Sequence, residues 1–157
     1  RERIEKTDIR TVFSAATGRA AAIHLHPLDV PGAIASLAQM QPPKAWYWAG
    51  TDWDQRVARH VGDIRAAEIQ CDDVSKVSEN WAEAYGVAVD HSARVPSLKF
   101  ERSEVRFVAI NDGRGPGLRA IDIEIIDKDA LFAAAHQLGL ERYGNTVNVC
   151  GTDINLI

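Results

Sequence analysis

With 157 residues, 46% of them hydrophobic and 25% charged, the chain can bury a sizeable core and fits an ordinary folded domain. Its net charge of −4 is spread over interspersed acids and bases, so no basic block offers the phosphate-neutralising footprint that nucleic acid needs. No apolar run approaches the ~20 residues that cross a bilayer and no secretory leader pattern opens the chain, so a cytoplasmic location is the expectation.

The opening RERIEKTDIRTVF begins on Arg1 and carries no start-of-domain signature, so a longer parent polypeptide is expected. Short strands follow in IRTVFSA, RAAAIHLH and GAIASLAQM, with a turn between Pro27 and Gly32. His24 and His26 flank Leu25 and so share a strand face, which makes them weak candidates for a metal pair. Residues 41–64 are a proline-opened connector whose Trp46, Tyr47, Trp48 and Trp53 offer apolar area to pin it onto a neighbouring surface.

From residue 65 the chain repeats itself. RAAEIQCDDVSKVSENWAEAYGV and LRAIDIEIIDKDALFAAAHQLGL share an alternating strand, an acidic helix start, an amphipathic helix and a terminal glycine. Asp73 and Asp127 are placed to cap, Gly86 and Gly139 to terminate. Val74, Val77, Trp81, Ala84 and Tyr85 make one apolar face, and Leu131, Ala134, Ala135 and Leu138 make the other. Strand-like SLKFERS and EVRFVAIN follow the first helix, TVNVCG and TDINLI the second, while NDGRGPG at 111–117 joins the halves. Alternation puts Ile121, Ile123 and Ile125 beneath the second helix and Ala67, Ile69 and Cys71 beneath the first. Glu68, Gln70, Asp122 and Glu124 then point to the opposite face, with Arg106, Asn148 and Asn155 as further polar candidates there. Cys71 and Cys150, each in a strand pattern, are expected as free thiols, and His60, His91 and His136 as solvent-facing residues.

This tandem plan resembles the vicinal oxygen chelate superfamily, the glyoxalase and bleomycin-resistance proteins. HLHPLDVPGAIASL is similar to the closing hairpin of methylmalonyl-CoA epimerases and related proteins. The resemblance implies an α+β fold of paired βαβββ modules, a mixed curved sheet forming a cup with helices outside. It also implies the C-terminal part of a two-domain bacterial protein: residues 1–40 closing a truncated preceding module, 41–64 connecting, and 65–157 a complete two-module unit. Metal-dependent members carry His or Gln on each module's first strand and Glu on the last. Here those positions hold Ala66, Ala120, Ser36 and Asn155, and alanine ligates nothing. The site therefore reads as degenerate and no cofactor is expected, although a shifted oxygen-ligand site for a divalent metal at Glu68, Gln70, Asp122 and Glu124 stays open.

Three readings follow. In the first, the cup holds a small molecule, with Glu68, Gln70, Arg106, Asp122, Glu124 and Asn155 as lining; its acids would favour a cationic ligand. In the second, the chain is the partner of a metal-dependent lyase, epimerase or dioxygenase site lying mostly in a preceding N-terminal domain. In the third it is structural, with sheet edges and tryptophans favouring a homodimer. Catalytic residues are not assigned.

Overall fold

The computed structural model describes residues 2–43 and 45–157; Arg1 and Lys44, on which the opening and connector expectations partly fall, lie outside the described residues. Near the start, β1 (Thr11–Ala16), β2 (Ala20–Leu25) and β3 (Ser36–Met40) form an antiparallel sheet in that order. The β2–β3 turn is held by Asp29, whose carboxylate accepts from Arg10 Nε at 2.9 Å, Arg10 Nη2 at 2.7 Å and the Arg10 backbone N–H at 2.8 Å.

The repeat folds as two copies of one module. The first contains β4 (Val61–Cys71), α1 (Val74–Tyr85), β5 (Val89–Asp90), β6 (Ser97–Lys99) and β7 (Glu104–Ala109). The second contains β8 (Gly117–Ile125), α2 (Lys128–Gln137), β9 (Arg142–Tyr143), β10 (Thr146–Val149) and β11 (Thr152–Leu156). Their eight strands run β5-β6-β7-β4-β8-β11-β10-β9, so the order reads the same from either edge. Within each module the first strand pairs parallel with the last, β4 with β7 and β8 with β11, and the antiparallel β4–β8 pair joins the halves.

Local chemistry sets the helix limits. Asp73 accepts from the Lys76 N–H at 3.0 Å and Asp127 from the Ala130 N–H at 3.0 Å, each satisfying an N–H that a helix start leaves without a partner. Gly86 ends α1 with φ 65°, the left-handed conformation that a Cβ would disfavour. Trp81 anchors the main core: it stacks on Tyr85 at 5.5 Å, meets Phe107 edge-on at 5.9 Å, and donates from Nε1 to the Pro31 carbonyl at 2.8 Å. Helix α1 thus lies between the two sheets, with Ile23 and Leu25 on one side and Ile69, Leu98 and Phe107 on the other. Burying each such side chain contributes about 1.5–3 kcal/mol.

The structure differs from the sequence reading in several places. β4 starts at Val61 rather than at residue 65. Leu138 is 74% exposed, because α2 stops at Gln137 and Leu138 belongs to its C-cap rather than to the packed stripe. Cys150 sits at φ 52° in the turn between β10 and β11 and not in a strand; it and buried Cys71 are both free. Ala66 and Gln70, expected on the open face, are as buried as Ile69; Gln70 is covered by the 111–117 linker. Trp46 and Trp48 reach the outer face of β1–β3, lining a 390 Å³ cavity with Phe13 and His24, yet remain about half exposed (50% and 46%). No helix among the described residues is long and apolar enough to cross a membrane.

Candidate functional site

The concave face of the eight-stranded sheet holds a cleft of about 700 Å³ whose lining includes Glu68, Arg106, Arg119, Asp122 and Asn155. Register brings them together. Glu68 on β4 pairs with Arg106 on β7 and with Ala120 on β8, while Asp122 on β8 pairs with Ala66 on β4 and Asn155 on β11. Period-two alternation then points them to the same side.

Charges in the cleft are tightly paired. Arg106 Nη2 contacts Asp122 Oδ2 at 2.8 Å, and Arg106 Nε approaches Glu68 Oε2 at 3.5 Å. Arg119 Nη1 donates to Glu68 Oε1, which raises the Arg119 pKa chiefly through that hydrogen bond. Asn155 Nδ2 donates to Asp122 Oδ1 at 2.8 Å, and Asn155 Oδ1 accepts from the Thr146 hydroxyl at 2.9 Å. Both Asp122 oxygens and Glu68 Oε1 therefore meet a cationic or N–H partner at close range, whereas Glu68 Oε2 has only the 3.5 Å approach of Arg106 Nε, a buried N–H with no hydrogen-bond acceptor among the described residues. The side chains of Glu68, Asp122 and Arg106 are 13%, 12% and 23% exposed, so these contacts are only partly screened by water.

Of the lining residues expected from sequence, Glu68, Arg106, Asp122 and Asn155 meet here and two do not. Gln70 lies under the linker, donating from Nε2 to Asp112 Oδ1 at 2.8 Å and to the Gly115 carbonyl at 2.9 Å, so it fastens the module junction. Glu124 sits at the far end of β8, where Oε2 accepts from the Asp63 N–H at 3.1 Å and Oε1 from Arg65 Nε at 2.6 Å; these contacts, the Asp63 N–H foremost, lower its pKa. Asn148 pairs with Asp153 at 2.8 Å on the same sheet.

Sequence reasoning misses Arg119, Arg94 and Asn111. Strict alternation places Arg119 with Ile121 beneath the helix. The β4–β8 register runs Glu68↔Ala120 and then Ile69↔Leu118, skipping Arg119 as the extra residue of a β-bulge, and this re-aims its side chain toward Glu68. Arg94 and Asn111 come from loops, where no period reports direction.

The eight strands and two helices form the paired βαβββ arrangement of the glyoxalase and bleomycin-resistance fold. The fold is α+β, a mixed curved sheet with no closed barrel. Among solved structures, a hypothetical protein from Staphylococcus aureus is similar at TM-score 0.64 and 8% identity, covering 99% of this chain; the chain spans only 59% of that protein's length. Methylmalonyl-CoA epimerase from Mycobacterium tuberculosis matches at TM-score 0.47 and 16% identity, over 66% of this chain and 93% of that one. A variant of Streptomyces coelicolor methylmalonyl-CoA epimerase in complex with 2-nitronate-propionyl-CoA matches at TM-score 0.46 and 19% identity, over 61% of this chain and 93% of that one. No protein-family model and no curated protein matches the sequence.

The metal that such a fold implies does not fit the residues present. Ala66 and Ala120, at 3% and 1% exposure, supply no donor, and Asn155 spends both amide atoms on Asp122 and Thr146. Ser36 lies in the other sheet, on β3. Among the described residues, no three or more His, Cys, Asp or Glu side chains are grouped as metal ligands. His24 packs its ring at 5.0 Å from Phe13, whereas His26 lies beyond β2 and accepts the Leu28 N–H on Nδ1 at 3.1 Å, so the turn takes a nitrogen that the proposed pair would need.

Proposed function

We propose that this chain is a small-molecule-binding protein of the glyoxalase fold and that the cleft between its two modules is the binding site. The observation that carries this reading is the convergence of Glu68, Arg106, Arg119, Asp122 and Asn155 on the floor of a 700 Å³ cleft, a size suited to a small organic ligand. Their mutual hydrogen bonds fix the side chains in advance, which lowers the ordering cost of binding. Apolar Val95, Val108 and Ile157 border the same space.

The ion pairing favours binding over the metal-dependent lyase, epimerase or dioxygenase alternative. A general base needs an oxygen free to reach the substrate's proton; both Asp122 oxygens are held by Arg106 and Asn155, and Glu68 is held on Oε1 by Arg119 with a second guanidinium 3.5 Å from Oε2, so neither carboxylate stands unpaired. We also propose that residues 1–40 close a preceding glyoxalase-like module, that 41–64 connect, and that 65–157 form a complete unit. The antiparallel order β1-β2-β3, which parallels β5-β6-β7, supports this division. Exposed Phe13, Trp46 and Trp48 support self-association as a homodimer.

The test is a fragment screen on isotope-labelled protein, read by NMR shifts of the Asn155 side-chain amide and the Arg119 Nε–H. Saturable shifts confined to the cleft are expected; shifts scattered over the surface, or none, refute the reading. Metal content after chelation and reloading with nickel, cobalt, manganese, iron or zinc is measured in parallel. Stoichiometric metal that raises the melting temperature would overturn the degenerate-site reading and revive a metal site at Glu68 and Glu124 or at His24 and His26.

A further inference from the structure

We infer that the cleft takes an organic acid, its carboxylate held by Arg94 and Arg119 and its apolar body lying on Val95, Val108 and Ile157; this rests on the small-molecule reading above. Sequence alone puts carboxylates on this face and so points to a cation. The geometry reverses that sign. Asp122 is committed on both oxygens to Arg106 and Asn155, and Glu68 is committed on Oε1 to Arg119 with the Arg106 guanidinium 3.5 Å from Oε2, so an arriving ammonium would enter beside half-buried guanidinium groups already in place. Any contact it gained there would replace one charge-assisted contact with another and add the cost of stripping water from the ligand.

The cations of the cleft are less committed. Arg94, in the loop between β5 and β6, lines the space and has no hydrogen bond or ion pair to any described residue. Arg119 spends only Nη1 on Glu68, leaving the other N–H groups of its guanidinium without an acceptor among the described residues, and its side chain is 31% exposed. Asn111, also lining the cleft, has its amide free among the described residues. The lining has Arg94, Arg106 and Arg119 against Glu68 and Asp122, and since Glu104 also reaches Arg106 at 3.5 Å, the excess cation is Arg94, unpaired among the described residues. A carboxylate matches that excess and suits the planar fork of a guanidinium, which a neutral or cationic group does not.

The experiment uses three probes of one shape and different charge: octanoate, octanamide and octylammonium. Their affinities are measured by titration calorimetry on the full chain, and cleft occupancy by the same NMR signals. Octanoate is expected to bind several-fold more tightly than the other two, to weaken in high salt, and to lose about fivefold to tenfold in affinity in Arg94→Gln. Arg94 is exposed, so that variant keeps its fold, which circular dichroism checks. Arg94→Glu should remove the preference for the acid. A Trp48→Ala control is expected to leave octanoate affinity unchanged, because Trp48 belongs to the separate groove on β1–β3. Preference for octylammonium would overturn the acid inference while leaving the cleft a binding site. Equal affinity for octanoate and octanamide, insensitive to Arg94, would do the same. Failure of all three probes to move the cleft signals would overturn both this inference and the small-molecule reading.

Discussion

Replacing Arg106 with leucine tests whether the ion pairs hold the cleft together. The guanidinium makes one short contact, 2.8 Å to Asp122, and two long ones of 3.5 Å to Glu68 and Glu104. The long contacts count for little, because Glu68 keeps Arg119 and Glu104 keeps Lys99. The short one is charge-assisted and partly buried, and its loss leaves Asp122 with only the Asn155 amide beside it. Losing that bond and leaving a desolvated carboxylate costs about 2–3 kcal/mol. For a chain of this size that is roughly a 5–10 °C fall in melting temperature. Urea denaturation followed by circular dichroism measures the free energy. Asp122→Asn in the Arg106→Leu background should recover a good part of the loss, with a coupling of about 1.5 kcal/mol or more across the double-mutant cycle. A cost below about 0.5 kcal/mol for Arg106→Leu, or strict additivity with Asp122→Asn, would refute the reasoning.

Trp81→Phe keeps the ring stack but removes the donor to Pro31, so it should cost about 1–2 kcal/mol and lower hydrogen-exchange protection in β2 and β3 more than in β4 and β8. Gly32→Ala should cost about 2–4 kcal/mol in urea denaturation: Gly32 has φ 96° and an added Cβ would lie 2.4 Å from Ile69 Cγ2 in the core. The Arg10 guanidinium holds the Asp29 carboxyl at about 2, below its ordinary 3.8. A lowered folded-state pKa gives stability that is full above the ordinary value and lost as pH falls toward the folded one, so the deficit of Asp29→Asn should shrink across that acid window. A deficit independent of pH there would contradict the pairing. Asp112, held low chiefly by Arg114 and then by Gln70, should behave alike in Asp112→Asn, its window opening as pH falls below about 4.

The helices were readable because their signals are local. Asp73, Asp127, Gly86 and Gly139 cap or terminate within a turn of where they stand, and Val77, Trp81 and Ala84 repeat at helical spacing. The tandem repeat then gave the module plan. The two-residue strands β5 and β9 were not readable, since so short a segment has no alternation to detect. The site was only half readable. Alternation placed Glu68 and Asp122 correctly, but it could not see the bulge that turns Arg119 toward them or the linker that closes over Gln70. The sign of the cleft's charge depended on those long-range events. Sequence named Arg106 for this face, but not that it crosses β4 to reach Asp122.

That crossing also bears on two of the ligand positions suggested by resemblance, Ala66 and Ala120. Arg106 is on β7 and Asp122 on β8, with β4 between them, so the contact spans two strand spacings, about 9–10 Å of sheet. The register places Ala66 directly beside Asp122, on the face over which the guanidinium passes, and Ala120 beside Glu68, where Arg119 arrives. A His or Gln at Ala66 would occupy the path of Arg106, and one at Ala120 would crowd the approach of Arg119. Alanine at both places leaves that space open. The same positions that could carry metal donors instead make room for a lattice of guanidinium and carboxylate groups that ties the two modules through their central strands. Bulkier donors at Ala66 and Ala120 would compete with this lattice for one volume, and the residues present support the lattice.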